Sequence, residues 1–516
     1  MKFTKKKISN ILLAIILLFA AFLRLYKISD YMTFLGDEGR DVLVVKDILA
    51  GNLTFLGPRS SAGDFYTGPI YYYMMAPFLY LSNLDPVGPA VMIALLGIAT
   101  VFMVFYVGKK VFNSTVGVIA AALYAVSPLV IIYSRSSWNP NPMPFFTLLI
   151  LYLLYQAVQN KSWKYFLTVG FLYGIALQLH YIELFVGIII ISFILFSYYF
   201  LKRKEVSLLI KQYAFTFVGF VLGLSPFLAF EIHHGFPNTR TVVNLILHGS
   251  PGATDITNKS FIEIVLDVFF RVFARTIWYF PSPDRVPFFD KNILVLWQII
   301  IVIIALASIY LLMKFKNRLI AVLFGMWLGF GVILFGFYKK PINDYNFEFL
   351  FPLPFLLTAY FIYSLYQLKK PAQIGKVLAV TIFIFIFFYN LNYQPFKFQP
   401  NKQKDQIKII TEFVISKTDN KPYNFALIAA GNSDHGYRYY FDILGHSPSK
   451  IENPILDPER KTPTKQLLVV CEQTDCNPLG HPLFDIAGFG RAQVVGTWDV
   501  SVVKVFKLIP YVENQK

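Results

Sequence analysis

Through the first three quarters of the chain, long apolar runs alternate with short polar breaks. A helix crossing a bilayer needs roughly 20 mostly apolar residues, and by that measure about eleven spans are predicted. They fall at 8–26, 87–107, 115–133, 143–158, 165–179, 182–201, 212–231, 292–313, 319–337, 347–367 and 376–392. If the chain enters from the cytoplasm and alternates, the inner turns are Lys109-Lys110, Lys161 to Lys164, Lys202-Arg203-Lys204, Lys314 to Arg318 and Lys369 to Lys376. All are basic, as inner turns should be, which supports both the count and the orientation. The opposite face then carries residues 27–86, 134–142, 180–181, 232–291, 338–346 and everything after about 393. Most of these stretches are long, aromatic and acid-containing, so function is expected on that outer side.

Two shorter patterns interrupt the spans. After Asp37 and Glu38, positions Val42, Val45, Ile48 and Leu49 share one helical face with Arg40 and Asp47 opposite, which predicts a short helix lying in the membrane interface. The stretch Pro69 to Pro77 is apolar but short and proline-bounded, and reads as a second interfacial or re-entrant helix. From about residue 394 the pattern changes to mixed polar positions. Residues 405–417 read as a helix, and Phe425 to Ala429, Gln466 to Val470 and Val494 to Phe506 as β-type runs. The fold class is therefore a polytopic α-helical membrane protein, residues 1–393, with a small C-terminal extracytoplasmic α/β domain, residues 394–516.

Composition agrees. With 56% hydrophobic, 18% aromatic and 15% charged residues over 516 positions, the chain is too apolar for a soluble domain. The net charge of +17 sits in clusters between apolar runs, as orientation signals do, and excludes nucleic acid as the natural partner. The basic start before Ile11 to Phe22 imitates a signal peptide, but Leu18-Phe19-Ala20 puts a bulky residue where cleavage needs a small one, so a retained first span is expected. Only Cys471 and Cys476 occur, enough for one small bridge if their end lies outside.

The densest chemistry is Gly36-Asp37-Glu38-Gly39. Two adjacent acids are costly to withdraw from water, so they belong at an aqueous face or in a polar cavity; they are either functional or the first turn of a helix. Arg135, within Ser134-Arg135-Ser136-Ser137-Trp138-Asn139, could clamp a phosphate through its planar fork or anchor a helix pair. His180 and Glu183, three apart, form a metal or hydrogen-bonding pair or else the polar lining of a cavity. Lys339 and Lys340 break the charge rule by lying outside, where they would attract an anionic headgroup or be tolerated by a short loop. Arg271 and Arg275 are further cations in a long outer loop. Asp64, Tyr71, Asn139, Asp344 and Tyr345 complete the polar residues expected near a substrate cavity. No nucleotide-binding or hydrolase motif appears, so energy from ATP is unsupported.

Taken together, the Asp37-Glu38 pair after one span, Gly68-Pro69-Ile70-Tyr71-Tyr72-Tyr73, Ser127-Pro128-Leu129 followed by Ser134-Arg135, and Asp344-Tyr345 before Pro352-x-Pro354 resemble the GT-C membrane glycosyltransferases. The similarity is to the branch of protein O-mannosyltransferases and aminoarabinose transferases, and covers residues 1 to about 390. It implies inverting transfer of a sugar from a polyprenyl-phosphate donor to a protein, lipid or cell-surface glycan acceptor on the outer face of the plasma membrane. It also implies Asp37 as base with Glu38 beside it, and Arg135, Lys339 or Lys340 as cations for the leaving phosphate. The family's usual Pro-Pro is Gly68-Pro69 here, and its metal ligands have no clear match, which leaves a divalent metal open as the one cofactor. A transporter or flippase of a lipid-linked saccharide would share many spans and membrane lipid as partner, but neither paired broken helices nor an internal repeat is visible.

Overall fold

The structure is a computed structural model, and it describes residues 5–60, 64–203, 205–248, 259–281, 283–338 and 340–511. Each predicted span coincides with helix over most of its length, but fewer than the expected eleven qualify as full spans. Among the described residues eight helices are long and apolar enough to cross a membrane, and a bent pair makes nine. That pair is Asp344–Leu350 with Pro352–Tyr366, bent by 58°, where a single straight span was expected. Prolines at 352 and 354 cannot donate backbone hydrogen bonds and so restart the helix. The expected span 115–133 is likewise broken into Ser114–Val126 and Pro128–Tyr133. Ser127 between them is extended, and its hydroxyl donates to the Thr276 carbonyl (2.8 Å). The outer stretch 232–291 contains two helices that the hydrophobic pattern did not delimit, Pro237–His248 and Phe261–Ile277. Glu231 accepts from the Asn238 and Thr239 backbone amides (3.2 and 2.8 Å), capping the first of them with a carboxylate where the helix dipole favours one.

By its backbone contacts the chain divides into two compact units, each assembled from three stretches. One unit comprises Met1–Tyr26, Leu53–Met75 and Ala90–Gln399; the other comprises Lys27–Asn52, Ala76–Pro89 and Pro400–Lys516. Most of the membrane helices make up the first. Near the end of its opening helix, Leu23, Val126 and Ile131 are buried together with Phe387 and Leu391 packed on them.

The second unit is built on a four-stranded sheet, β1 Asn424–Ile428, β2 Leu467–Cys471, β3 Ala492–Val500 and β4 Val503–Pro510, in the order β1-β2-β4-β3. β1 and β2 are parallel, with Ala426 opposite Val469, and the other pairs are antiparallel, with Val469 opposite Phe506. Two parallel strands need a long crossover, and it carries the helix His435–Ile443. The expected single run 494–506 is instead the β3–β4 hairpin, turned at Ser501, whose φ of 55° ends the extended conformation. Ala426, Leu467, Val469, Ile486, Phe489 and Leu508 form its core, and Cys471 and Cys476 are bridged.

The segment 27–52 is part of this unit. Its helix Gly36–Leu49 buries Val42, Val45 and Ile48, while Leu49 is exposed. What covers that helix differs from the expectation of a free interfacial helix. Gly39 lies so close to the His435 helix that a side-chain carbon there would come 2.3 Å from the Gly436 nitrogen, and at Gly36 one would come 2.0 Å from the Ser433 hydroxyl. Only glycine permits that approach. The Phe34 amide donates to Gln403 (3.1 Å), the Lys402 amide to the Asp30 carbonyl (2.9 Å), and Lys46 pairs with Asp442. In segment 76–89, Asp85 pairs with Lys404 (2.8 Å).

Candidate active site

In the second unit the chemistry gathers at the first turn of the Gly36 helix. Asp37 and Glu38 are neighbours with opposite environments. Asp37 is a little over half exposed (56%), and its carboxylate accepts from Arg40 (2.9 Å). Arg40 also pairs with the fully buried Asp41 (2.7 Å), so one guanidinium spans both acids. Glu38 is buried, and its carboxylate accepts from the Leu35 amide (3.0 Å), closing the first turn on itself. Burial pushes the Glu38 carboxyl up to about 7, against the lowering effect of that amide. Asp37 is thus the accessible acid of the pair, and Glu38 closes the turn that carries it.

One orphan amide of that turn, Gly36 N–H, donates to the Asn432 side chain (2.9 Å), which also accepts from the Ser433 amide (2.9 Å). The Asn432 amide group in turn donates to both oxygens of Glu472 (3.1 Å each), and Tyr437 donates to the same carboxylate (2.8 Å). This is a helix cap supplied by a residue 396 positions away. Ser433 Oγ lies 2.7 Å from His435 Nδ1. Burial lowers His435, and the charges that face it are Asp434, Arg40, Arg438 and Asp37. Asn432, Ser433 and His435 were not foreseen as site residues. The polar string Gly431-Asn432-Ser433-Asp434 ahead of a helix is a visible turn signal, but nothing local says what it caps.

In the first unit a second polar group surrounds Asp344. Arg271 and Arg275, one helical turn apart on Phe261–Ile277, both bond its carboxylate, Arg275 at 3.1 Å. Each guanidinium also lies over an aromatic ring, Arg271 5.2 Å from Phe347 and Arg275 4.8 Å from Tyr279. Arg271 donates to the Ile342 carbonyl (2.7 Å) as well. Tyr345 packs on Trp138 (4.5 Å) and edge-on to His180 (6.1 Å), which stacks on Tyr181 (4.4 Å), whose hydroxyl meets that of Tyr338 (2.6 Å). Burial drives His180 down to about 3, so its imidazole is neutral. Asp344, Tyr345 and His180 are therefore brought together, with Arg271 and Arg275 as the cations that join them. Asp267, Arg271 and Arg275 recur every four residues, and that stripe was the available signal.

Other expected residues are placed apart from that group. Arg135 is buried and donates to the carbonyls of Leu23 (2.8 Å), Arg24 (3.1 Å) and Tyr26 (2.7 Å), so it caps the end of helix Lys5–Leu25. These contacts match the anchoring alternative, in which the guanidinium holds a helix end. Glu183 accepts from Thr147 (2.8 Å), Tyr71 meets Ser137 (2.7 Å), and Asn139 donates to the Leu179 carbonyl. Asp64 pairs with Arg59 (2.8 Å) at the surface. Lys340 is partly buried, and Lys339 lies outside the described residues. Among the described residues no three His, Cys, Asp or Glu side chains converge as a metal site requires.

This arrangement of broken spans, an acidic first loop and a C-terminal sheet is the GT-C fold of membrane glycosyltransferases. ArnT from Cupriavidus metallidurans bound to undecaprenyl phosphate matches with a TM-score of 0.62 at 11% identity, over 98% of this chain and 98% of that one. The archaeal oligosaccharyltransferase AglB from Archaeoglobus fulgidus, in complex with an inhibitory peptide and a dolichol-phosphate, matches with a TM-score of 0.55 at 12% identity, over 91% of this chain and 70% of that one. A family profile described as dolichyl-phosphate-mannose-protein mannosyltransferase matches residues 67–230. No curated protein sequence matches the chain.

Proposed function

We propose that the protein is an inverting glycosyltransferase that moves a sugar from a polyprenyl-phosphate carrier to a hydroxyl-bearing protein, lipid or glycan on the outer face of the plasma membrane. The observation that carries this reading is Asp37: an accessible carboxylate, held by Arg40 at a helix start whose fold is GT-C. Asp37 takes the proton of the acceptor hydroxyl as its oxygen bonds the anomeric carbon, and the bond from that carbon to the carrier phosphate breaks with its electrons on the phosphate. That phosphate gains charge and needs cations. Arg271 and Arg275, which bond the Asp344 carboxylate, join Arg135 as candidate cations for this role. Lys339 and Lys340 stay auxiliary candidates. The basic inner turns and the Cys471–Cys476 bridge support a cytoplasmic N-terminus and an extracytoplasmic sheet.

The test is turnover of radiolabelled undecaprenyl- and dolichyl-phosphate hexoses and pentoses by membranes containing the wild type or Asp37→Asn. Transfer that depends on Asp37 supports the reading. Equal turnover by the two proteins overturns it.

A further inference from the structure

The base is only half of an acceptor site, and the groups around Asp37 show what the other half is made of. A carboxylate can only accept hydrogen bonds and a guanidinium can only donate, and Arg40 is already shared between Asp37 and Asp41. A hydroxyl that gives its proton to Asp37 still carries two lone pairs, and one of them must face the anomeric carbon. Orienting it calls for a neutral donor beside Asp37. On this helix face that donor is carried by the sheet-bearing part of the chain: the His435 backbone packs on Gly39, where a side-chain carbon would come 2.6 Å from the His435 carbonyl carbon, Asp37 and Arg40 are among the charges acting on its ring, and Ser433 Oγ lies 2.7 Å from its Nδ1. In the tautomer in which the Ser433 hydroxyl donates to Nδ1, the imidazole proton sits on Nε2 and is the donor offered to a ligand. The ring is half-buried, so a ligand can reach it.

The backbone around it is held as a binding site would need. Asn432 caps the Gly36 helix, Glu472 fixes Asn432 and Tyr437, and the glycine contacts at 36 and 39 leave no slack between the two helix starts. We propose that His435 binds the acceptor hydroxyl beside Asp37, so that the second unit supplies both the base and a residue that selects what is glycosylated. This rests on the functional reading above. It makes the C-terminal sheet part of the active machinery rather than an appended domain, with a hydroxylated acceptor as its ligand and water as the competitor to be excluded.

The experiment uses the full-length protein in its native membranes, which supply the acceptors, and the panel of labelled polyprenyl-phosphate sugars. Two products are counted: label fixed in membrane acceptors and label released to water as free sugar. His435→Ala removes the directing hydrogen bond, so the ratio of fixed to released label should fall about tenfold or more, the effect of one lost polar contact to a reacting group. His435→Gln, whose amide can occupy the Nε2 position, should recover most of that ratio. The proposal is overturned if His435→Ala keeps the wild-type ratio, whether both products fall together, as a purely structural role would produce, or neither falls. It is also overturned if His435→Gln is as impaired as His435→Ala. Wild-type membranes that show no Asp37-dependent product of either kind would instead sink the glycosyltransferase reading itself.

Discussion

The two units handle charge in opposite ways. In the membrane-rich unit several polar side chains are bound by the protein: Arg135 by three backbone carbonyls, one Glu183 oxygen by Thr147, Asn139 by the Leu179 carbonyl. The Asp344 group, with its two arginines and ring of tyrosines, is where charge is instead collected. In the sheet-bearing unit, Asp37 is left accessible while its neighbours Glu38 and Asp41 are withdrawn. Burial in an apolar body favours pairing of polar groups, yet the membrane-rich unit also keeps buried polar atoms with no hydrogen-bond partner among the described residues, including both carboxylate oxygens of Glu348 and both side-chain heteroatoms of Gln212. What sets Asp37 apart is therefore its exposure and not the lack of a partner.

Asp37→Asn tests this contrast most severely. It keeps the shape and the Arg40 contact while removing the base, and should lower transfer by about 10² to 10⁴-fold with normal membrane insertion. Near wild-type transfer would move the base to another outer carboxylate such as Asp64. Next in size is the pair Arg271→Gln with Arg275→Gln, expected to weaken binding of the labelled donor by roughly 10 to 10²-fold through loss of charge-assisted hydrogen bonds. Donor affinity at the wild-type level would show that the Asp344 group is a structural brace.

Glu38→Gln sharpens the comparison between adjacent acids. A carboxyl raised to about 7 stabilises the fold fully below the ordinary glutamate range, and that contribution is lost as pH rises through about 7. The loss is on the order of a few kcal/mol, since every tenfold change in a protonation equilibrium is worth about 1.4 kcal/mol. The thermal midpoint of the wild type should therefore drop relative to Glu38→Gln between about pH 5 and 8, and parallel curves would show that Glu38 is not held protonated. Smallest is Arg135→Gln. On the anchoring alternative it removes the cap on helix Lys5–Leu25 and should cost about 1–3 kcal/mol of stability while leaving donor affinity intact. A loss of donor affinity at unchanged stability would assign Arg135 to the phosphate instead.

The hydrophobic pattern by itself determined most of the spans, the basic turns between them, the change of character near residue 394 and the Asp37-Glu38 pair, because a bilayer imposes a length and a polarity that can be read residue by residue. It could not show that residues 27–52 fold with 400–516, since those contacts join positions nearly 400 apart through glycines and one asparagine, none of which carries a local periodic signal. Nor could it separate Arg135 from Arg271 and Arg275. All three are arginines in predicted outer loops, and only their tertiary partners, backbone carbonyls in one case and a carboxylate in the other, set them apart. The same holds for Asp37 and Glu38, adjacent in sequence and set apart by the direction each side chain takes from the first turn of one helix, out toward Arg40 or back onto the Leu35 amide.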